Sequence, residues 1–222
     1  MSEHPKRIAL FARQPVSGQV KTRLSPALPP DLACQLYAAM LEDTLEVVRL
    51  ARADTRTVFW AEVPQEGRAP QGFFWHAQKG ADLGARMTDA FDTLLVGGAH
   101  AVVVGSDCPG LTPALLEHAL DALDRSDLVL GPASDGGYWL VGLARPAPAL
   151  FTGMEWSTAT VFTETVARAT GLGLSVETLP VRDDLDTPDD LARIVTAVAL
   201  GHEDGVGPKL LAALRAMKLL PG

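Results

Sequence analysis

The chain has little that would tie it to an oxidising, membrane or nucleic-acid setting. Its 222 residues include two cysteines, Cys34 and Cys108. Two thiols make neither a disulfide framework nor a four-thiolate zinc site, and no C-x-x-C pair is present. Reduced thiols are the simpler reading. No apolar run approaches the roughly 20 residues needed to cross a bilayer. Behind Met1 to Arg7 comes only the short run Ile8 to Ala12, too brief for a signal-peptide core and without a small-residue cleavage site. A soluble, cytoplasmic protein is expected. Positive charge is also scarce: 19 Lys and Arg against 27 Asp and Glu leave a net charge of −8. A duplex-binding surface must be cationic, so nucleic acid is not expected as a partner, whereas a local basic pocket for a small phosphate ligand stays open. The five histidines, His4, His76, His100, His118 and His202, are dispersed and form no metal-ligand spacing.

What is present is an ordinary globular composition, with 47% hydrophobic and 21% charged residues. Strand and helix patterns alternate. Arg7 to Arg13 is almost continuously apolar, as in a strand buried on both faces. Asp31 can cap a helix to about Ala51, with Leu32, Leu36, Met40, Leu45 and Val48 at helical spacing. Thr55 to Val63 and Gly72 to Gln78 read as strands, Asp82 to Leu95 as a helix, and Ala101 to Gly105 as a buried strand. A helix opens at Thr112-Pro113. Leu128 to Ala133 and Tyr138 to Leu143 are adjacent strands with no helix between them. Ser157 is a candidate cap for a helix to about Ala169, and Ser175 to Val181 a last strand. Further helices start at Thr187 and run over Pro208 to Leu220. This order predicts an α/β fold: a Rossmann-like three-layer sandwich around a mainly parallel, mixed sheet. No linker separates two cores, so residues 1–222 are expected to form one domain.

In open α/β sheets ligands bind beyond the carboxyl ends of the strands, and five unusual segments fall there. Residues 11–24 follow the first strand, and their small residues and the cations Lys21 and Arg23 suit a phosphate, although neither GxxxxGK[ST] nor GxGxxG is present. A solvated loop with two incidental cations fits equally well. Asp107, in Gly105-Ser106-Asp107-Cys108-Pro109, lies directly behind three valines, where a carboxylate can serve Mg²⁺ or Mn²⁺ beside substrate phosphates; Asp-x-Pro-Gly is also good turn chemistry. Asp186 precedes a helix cap and is a second candidate ligand. Asp82 and Arg86 stand at a helix start. Ser134-Asp135-Gly136-Gly137 is either a hairpin turn or an approach for substrate, with Asp135 able to bond a hydroxyl or act as base. Of Tyr138 and Trp139 only one can face a pocket.

P-V-x-G-x-V-K-T-R-L at 15–24, Q-x-G-x-D-L-G-x-R-M at 78–87, G-S-D-C-P-G-L at 105–111, S-D-G-G-Y-W-L-V-G-L at 134–143 and D-L-D-T-P-D-D-L at 184–191 occur in this order. Together they resemble the bacterial nucleotide-diphospho-sugar transferase superfamily, with its glycosyltransferase A fold, in the small branch labelled glycosyltransferase or radical-SAM/selenodomain-associated transferase. The K-T-R-L portion is also similar to phospholactate guanylyltransferase. The resemblance implies a nucleotide or nucleotide-sugar substrate, an unidentified small-molecule acceptor and Mg²⁺ or Mn²⁺ held by Asp107 and Asp186. It implies nucleotide contacts from Ala12, Arg13, Gly18, Lys21, Arg23, Gln78, Asp82, Arg86 and Ser106, and catalytic roles for Asp107, Lys21, Arg23 and Asp135. The sequence departs from the usual pattern in having Ser106-Asp107-Cys108 where Asp-x-Asp is common, and in lacking the G-G-x-G-x-R loop of sugar nucleotidyltransferases. Glycosyl transfer from a nucleotide-diphospho-sugar and nucleotidyl transfer from a nucleoside triphosphate both remain readings, with a catalytically inactive nucleotide-binding protein as the alternative. Asp107→Ala is expected to spare the fold, since a loop carboxylate buries no core.

Overall fold

A computed structural model describes residues 4–63 and 69–220. Met1 to Glu3, the start of the stretch read above for a targeting segment, lie outside the described residues. The elements are β1 (Lys6–Ala12), α1 (Pro30–Leu50), β2 (Thr55–Trp60), β3 (Phe74–Ala77), α2 (Leu83–Leu94), β4 (His100–Gly105), α3 (Pro113–Ala122), β5 (Leu128–Pro132), β6 (Tyr138–Leu143), α4 (Val161–Gly171), β7 (Val176–Thr178), α5 (Pro188–Ala199) and α6 (Pro208–Ala216). The seven strands form one sheet in the order β3-β2-β1-β4-β6-β5-β7. Only β6 runs against its neighbours: it is antiparallel to both β4 and β5, while β1 is parallel to β2 and β4, β2 to β3 and β5 to β7. The mixed α/β sheet expected from the paired strands at 128–143 is therefore present.

Alternation along β1 divides the core. Ile8, Leu10 and Ala12 pack on one side with Tyr37 and Leu41 of α1 and Leu116 and Leu120 of α3. Ala9 faces the other side, with Met87 and Phe91 of α2 and Phe151. Outside this sandwich, α1, α5 and α6 enclose a third cluster that contains Leu24, Met40, Leu185, Ile194 and Leu214. Leu24 and Leu185 are both fully buried there. Burying these two loop leucines in one cluster brings the segments around residues 21–24 and 184–187 to the same end of the sheet.

Several ends differ from the sequence expectation. Asp31 does not cap α1: Pro29 holds the cap position, and Asp31 lies in the first turn, where it accepts a 2.5 Å hydrogen bond from the Ser17 hydroxyl. Pro30 needs no N–H partner at a helix start, which moves the boundary two residues upstream. Ser157 does not cap α4 either, since the helix begins at Val161 behind Thr160. Ser157 instead has φ 64°, a left-handed conformation away from any helix start. β2 stops at Trp60 and β7 spans only three residues. Asp82, Thr112 and Thr187 do cap their helices through side-chain oxygens. Among the described residues no helix is long and apolar enough to cross a membrane.

Candidate active site

The strand order reverses between β1 and β4, which lie side by side with Phe11 opposite Gly105. The loops leaving them diverge and open a crevice, the position where open sheets bind ligands. The β1 loop runs to Lys21, whose backbone is left-handed at φ 50° and ψ 35°. Its side chain turns inward and is only 3% exposed. The Lys21 ammonium bonds directly to the Asp107 carboxylate and stands 3.6 Å from Asp186 Oδ1. Arg23, largely exposed, donates to Asp186 Oδ2 at 2.8 Å. The loop after β4 is tied to the segment before α5 by the Leu185 N–H, which donates to the Asp107 carbonyl at 2.9 Å. Residues from three distant parts of the chain thus meet at one point.

The electrostatics follow from burial and crowding. Burial alone would lower the Lys21 pKa, but Asp107 beside it, with help from Asp186 and Asp184, outweighs that effect and holds it above the ordinary value. Burial, and then the nearby carboxylates of Asp107 and Asp135, push the Asp184 pKa up to about 7; the same Lys21 ammonium acts the other way there but is outweighed. The Cys108 thiol is pushed well above its usual range by burial, so it is an inert space-filling side chain. Both cysteines are free.

Asp107 borders three contiguous spaces. The first, about 360 Å³, is walled by Phe11, Ala12, Leu83, Met87, Val103 and Val141, with Arg13, Gln78, Arg86 and Ser106 as its polar groups. An apolar slot with few polar anchors suits a flat ring such as a nucleobase. Gln78 is held by its amide donating to the Phe59 carbonyl at 3.0 Å. The second, about 190 Å³, is lined by Arg13, Lys21, Arg23, Tyr37, Ser106, Asp107 and Asp186. The third, about 550 Å³, is lined by Asp107, Asp135, Asp184, Asp186 and Asp190 with Arg23, Tyr138, Trp156 and Thr158.

The structure therefore gathers Ala12, Arg13, Gln78, Arg86 and Ser106 around the first space, Lys21, Arg23, Asp107 and Asp186 around the second, and Asp135 beside the third. Two of the expected nucleotide contacts line none of them. Gly18 takes φ 76° in an open turn, and Asp82 spends an oxygen capping α2 at Ala85 N. Asp135 makes the turn weighed for it, accepting from Gly137 N at 2.9 Å, while remaining exposed to the cleft. What approaches Gly136, at φ 92°, is backbone from the segment before α4: a Cβ would lie 2.2 Å from the Ala159 carbonyl oxygen. Trp139 is buried and donates to the Pro180 carbonyl at 3.3 Å. Tyr138 and Trp139 nevertheless both border the first space, where only one was expected to; Tyr138 also borders the third and meets the Trp156 ring edge-on at 6.3 Å.

Tyr37, Asp184 and Trp156 were not among the expected site residues. The buried Tyr37 hydroxyl accepts from the Arg13 N–H at 2.9 Å and lies 3.1 Å from the Ser106 hydroxyl, joining the ends of β1 and β4. Its helical position in α1 reads as core, and nothing local reveals the hydroxyl's reach.

The donor set fits a hard divalent cation, being all carboxylate oxygen. Among the described residues no three His, Cys, Asp or Glu side chains form a complete cage for a metal ion. Such a cation would draw its remaining ligands from phosphate and water.

The family described as "Uncharacterized protein conserved in bacteria (DUF2064)" matches residues 36–158, more than half of the chain. No curated protein matches. Among solved structures, a candidate nucleotide-diphospho-sugar transferase from Desulfovibrio desulfuricans G20 is 30% identical with a TM-score of 0.85, covering 97% of this chain and 96% of that one. A nucleotidyl transferase from Methanothermobacter is 15% identical with a TM-score of 0.60, over 86% and 95% of the two chains. The manganese complex of Rv0371C from Mycobacterium tuberculosis H37Rv is 18% identical with a TM-score of 0.56, over 86% and 98%. The last two likenesses show the fold alone.

Proposed function

The chain belongs to the bacterial DUF2064 family, and from that membership and the geometry of its site we propose that it is a metal-dependent transferase acting on a nucleotide, with residues 1–222 as one such domain. The observation that carries the reading is the position of Asp107, which borders an apolar slot, a cationic pocket and an acidic cleft at once. The slot suits the base, with Arg13, Gln78, Arg86 and Ser106 as anchors. The pocket suits the phosphates, with Lys21 and Arg23 as donors of charge-assisted hydrogen bonds. Asp107 with Asp186 would hold Mg²⁺ or Mn²⁺, which supplies positive charge against phosphate oxygens.

Glycosyl transfer from a nucleotide-diphospho-sugar is the reading favoured by the third space. Its charged lining consists of five carboxylates and Arg23. Such a cleft repels an acceptor phosphate and accommodates neutral hydroxyl groups. The acceptor oxygen would attack the anomeric carbon, the bond from that carbon to the phosphate oxygen would break, and the nucleoside diphosphate would leave. Asp135, which lines this space, would take the hydroxyl proton. Lys21 and Arg23 would neutralise the charge that grows on the departing diphosphate. Nucleotidyl transfer is the second reading, favoured by the paired cations of the β1 loop, which equally suit a departing pyrophosphate.

The test is incubation of the purified protein with nucleotide sugars and nucleoside triphosphates, Mn²⁺ or Mg²⁺, and the small-molecule fraction of a cell extract. Release of nucleoside diphosphate supports glycosyl transfer, and release of pyrophosphate supports nucleotidyl transfer. Binding with neither product identifies an inactive nucleotide-binding protein and overturns both.

A further inference from the structure

We propose that Lys21 and a divalent metal compete for the same carboxylates, so that metal settles beside Asp107 only when the Lys21 ammonium has phosphate to move to. This rests on the nucleotide reading above and adds an order to it: metal binds tightly only together with nucleotide.

The geometry is specific. Lys21 does not extend from its loop toward solvent, as a lysine waiting for phosphate would. It is turned under the loop, almost wholly buried, with its ammonium against Asp107 and within 3.6 Å of Asp186. These are the two carboxylates that the metal requires. Asp184, when ionised, is close enough to act on the same ammonium. A cation already resides where the carboxylates converge, and two cations cannot share that point in a poorly solvated pocket. Arg23 reinforces the arrangement by occupying the other oxygen of Asp186. Phosphates entering the pocket lined by Lys21 and Arg23 give both side chains a new counter-charge, and that releases the carboxylate oxygens. The left-handed backbone at Lys21 is held by the buried Leu24 three residues on, so the exchange needs side-chain rotation and leaves the loop anchored.

The experiment is calorimetric titration of MnCl₂, without nucleotide, into the wild-type protein, Lys21→Gln and Lys21→Arg, with thermal melting of each in the presence and absence of MnCl₂. Wild type and Lys21→Arg should bind Mn²⁺ weakly. Lys21→Gln should bind it about ten-fold more tightly or better, and its lowered melting temperature should rise with Mn²⁺ while that of wild type stays put. Mn²⁺ binding by Lys21→Gln no tighter than by wild type overturns the proposal. Should Lys21→Gln not fold, side-chain NMR of Lys21 in the wild-type protein decides: Mg²⁺ alone should leave its signal unmoved, and Mg²⁺ with a nucleoside diphosphate should shift it. A shift with Mg²⁺ alone overturns the proposal. Failure of every nucleotide to bind wild type in the presence of Mn²⁺ would sink the nucleotide reading instead, and is scored apart from the Mn²⁺ titrations.

Discussion

Arg23 and Tyr37 show what one side chain contributes and how visible it is beforehand. Arg23 is solvent-exposed and bonded to Asp186, so its removal should cost the fold little. On the proposed reading, charge-assisted bonds from Arg23 to phosphate would be worth roughly 1.5–3 kcal/mol. Arg23→Ala should therefore weaken nucleoside diphosphate binding by about ten-fold or more and leave a free nucleoside unaffected, as calorimetry with the two ligands would show. Equal losses for both would mean that the loop reads the base. Tyr37→Phe keeps the ring in the core but leaves the Arg13 N–H without its acceptor. The cost should be about 1–3 kcal/mol in denaturant unfolding, with nucleotide affinity falling as the β1 and β4 ends loosen. Asp107 and Asp186 stood out because one follows a buried strand and the other precedes a helix cap, and Lys21 and Arg23 because they are the cations of a loop of small residues behind β1. Tyr37 was illegible because its hydroxyl serves residues 24 and 69 positions away.

Among the elements, helix starts were read well where a side chain close in sequence caps the helix, at α2, α3 and α5, and misplaced at α1 and α4, which have no side-chain cap; α6 does begin at Pro208 as expected. Thr187 and Asp190 form a capping box, a pattern confined to four residues. Thr187→Ala should cost about 0.5–2 kcal/mol, measured by chemical denaturation. The start of α6 is instead capped by Asp43 of α1, which accepts from Lys209 N at 3.0 Å and Leu210 N at 2.8 Å. No window of sequence could show that pairing. Another tertiary device joins the ends of β5, β6 and β7: Asp127 takes a 2.7 Å bond from Arg145 Nε and two of 2.9 Å from the Ser175 amide and hydroxyl. The Arg145 bond, then those from Ser175, lower the Asp127 pKa from 3.8 to about 2. Because the folded pKa lies below the unfolded one, the unfolded state binds more protons between these values. The contribution of Asp127 is complete above about pH 4 and disappears as the pH falls toward 2. Asp127→Asn should lower stability at pH 7 and flatten the acid limb of a stability–pH curve, and an unchanged limb would deny Asp127 this role.

At the scale of the whole molecule, the site is a joint between parts of the chain that share no sequence neighbourhood. Lys21 and Asp107 are 86 residues apart, Arg23 and Asp186 163 apart. Alternation of strands and helices made the α/β architecture legible, because each strand needs only its own pattern to be buried. It could not show that the joint carries structural load, and for that reason a loop carboxylate such as Asp107 was expected to be dispensable for folding. The burial of Lys21 reverses this expectation. Without Asp107 the ammonium keeps Asp186 at 3.6 Å as the other carboxylate of its ion pairs, and an uncompensated buried charge is costly. The Asp107 side chain is 52% exposed, so solvent screens the pair and the full buried-pair penalty does not apply. A loss of about 1–2 kcal/mol remains for Asp107→Ala, or roughly 2–8 °C in melting temperature for a chain of this size. Lys21→Gln should cost a similar amount, because it strands the carboxylates instead. The two losses share one interaction, so Asp107→Ala combined with Lys21→Gln should melt higher than the sum of the single losses predicts. Strictly additive losses in this double-mutant cycle would mean that each charge is balanced elsewhere, and the joint would then owe its position to Leu24 and Leu185 alone.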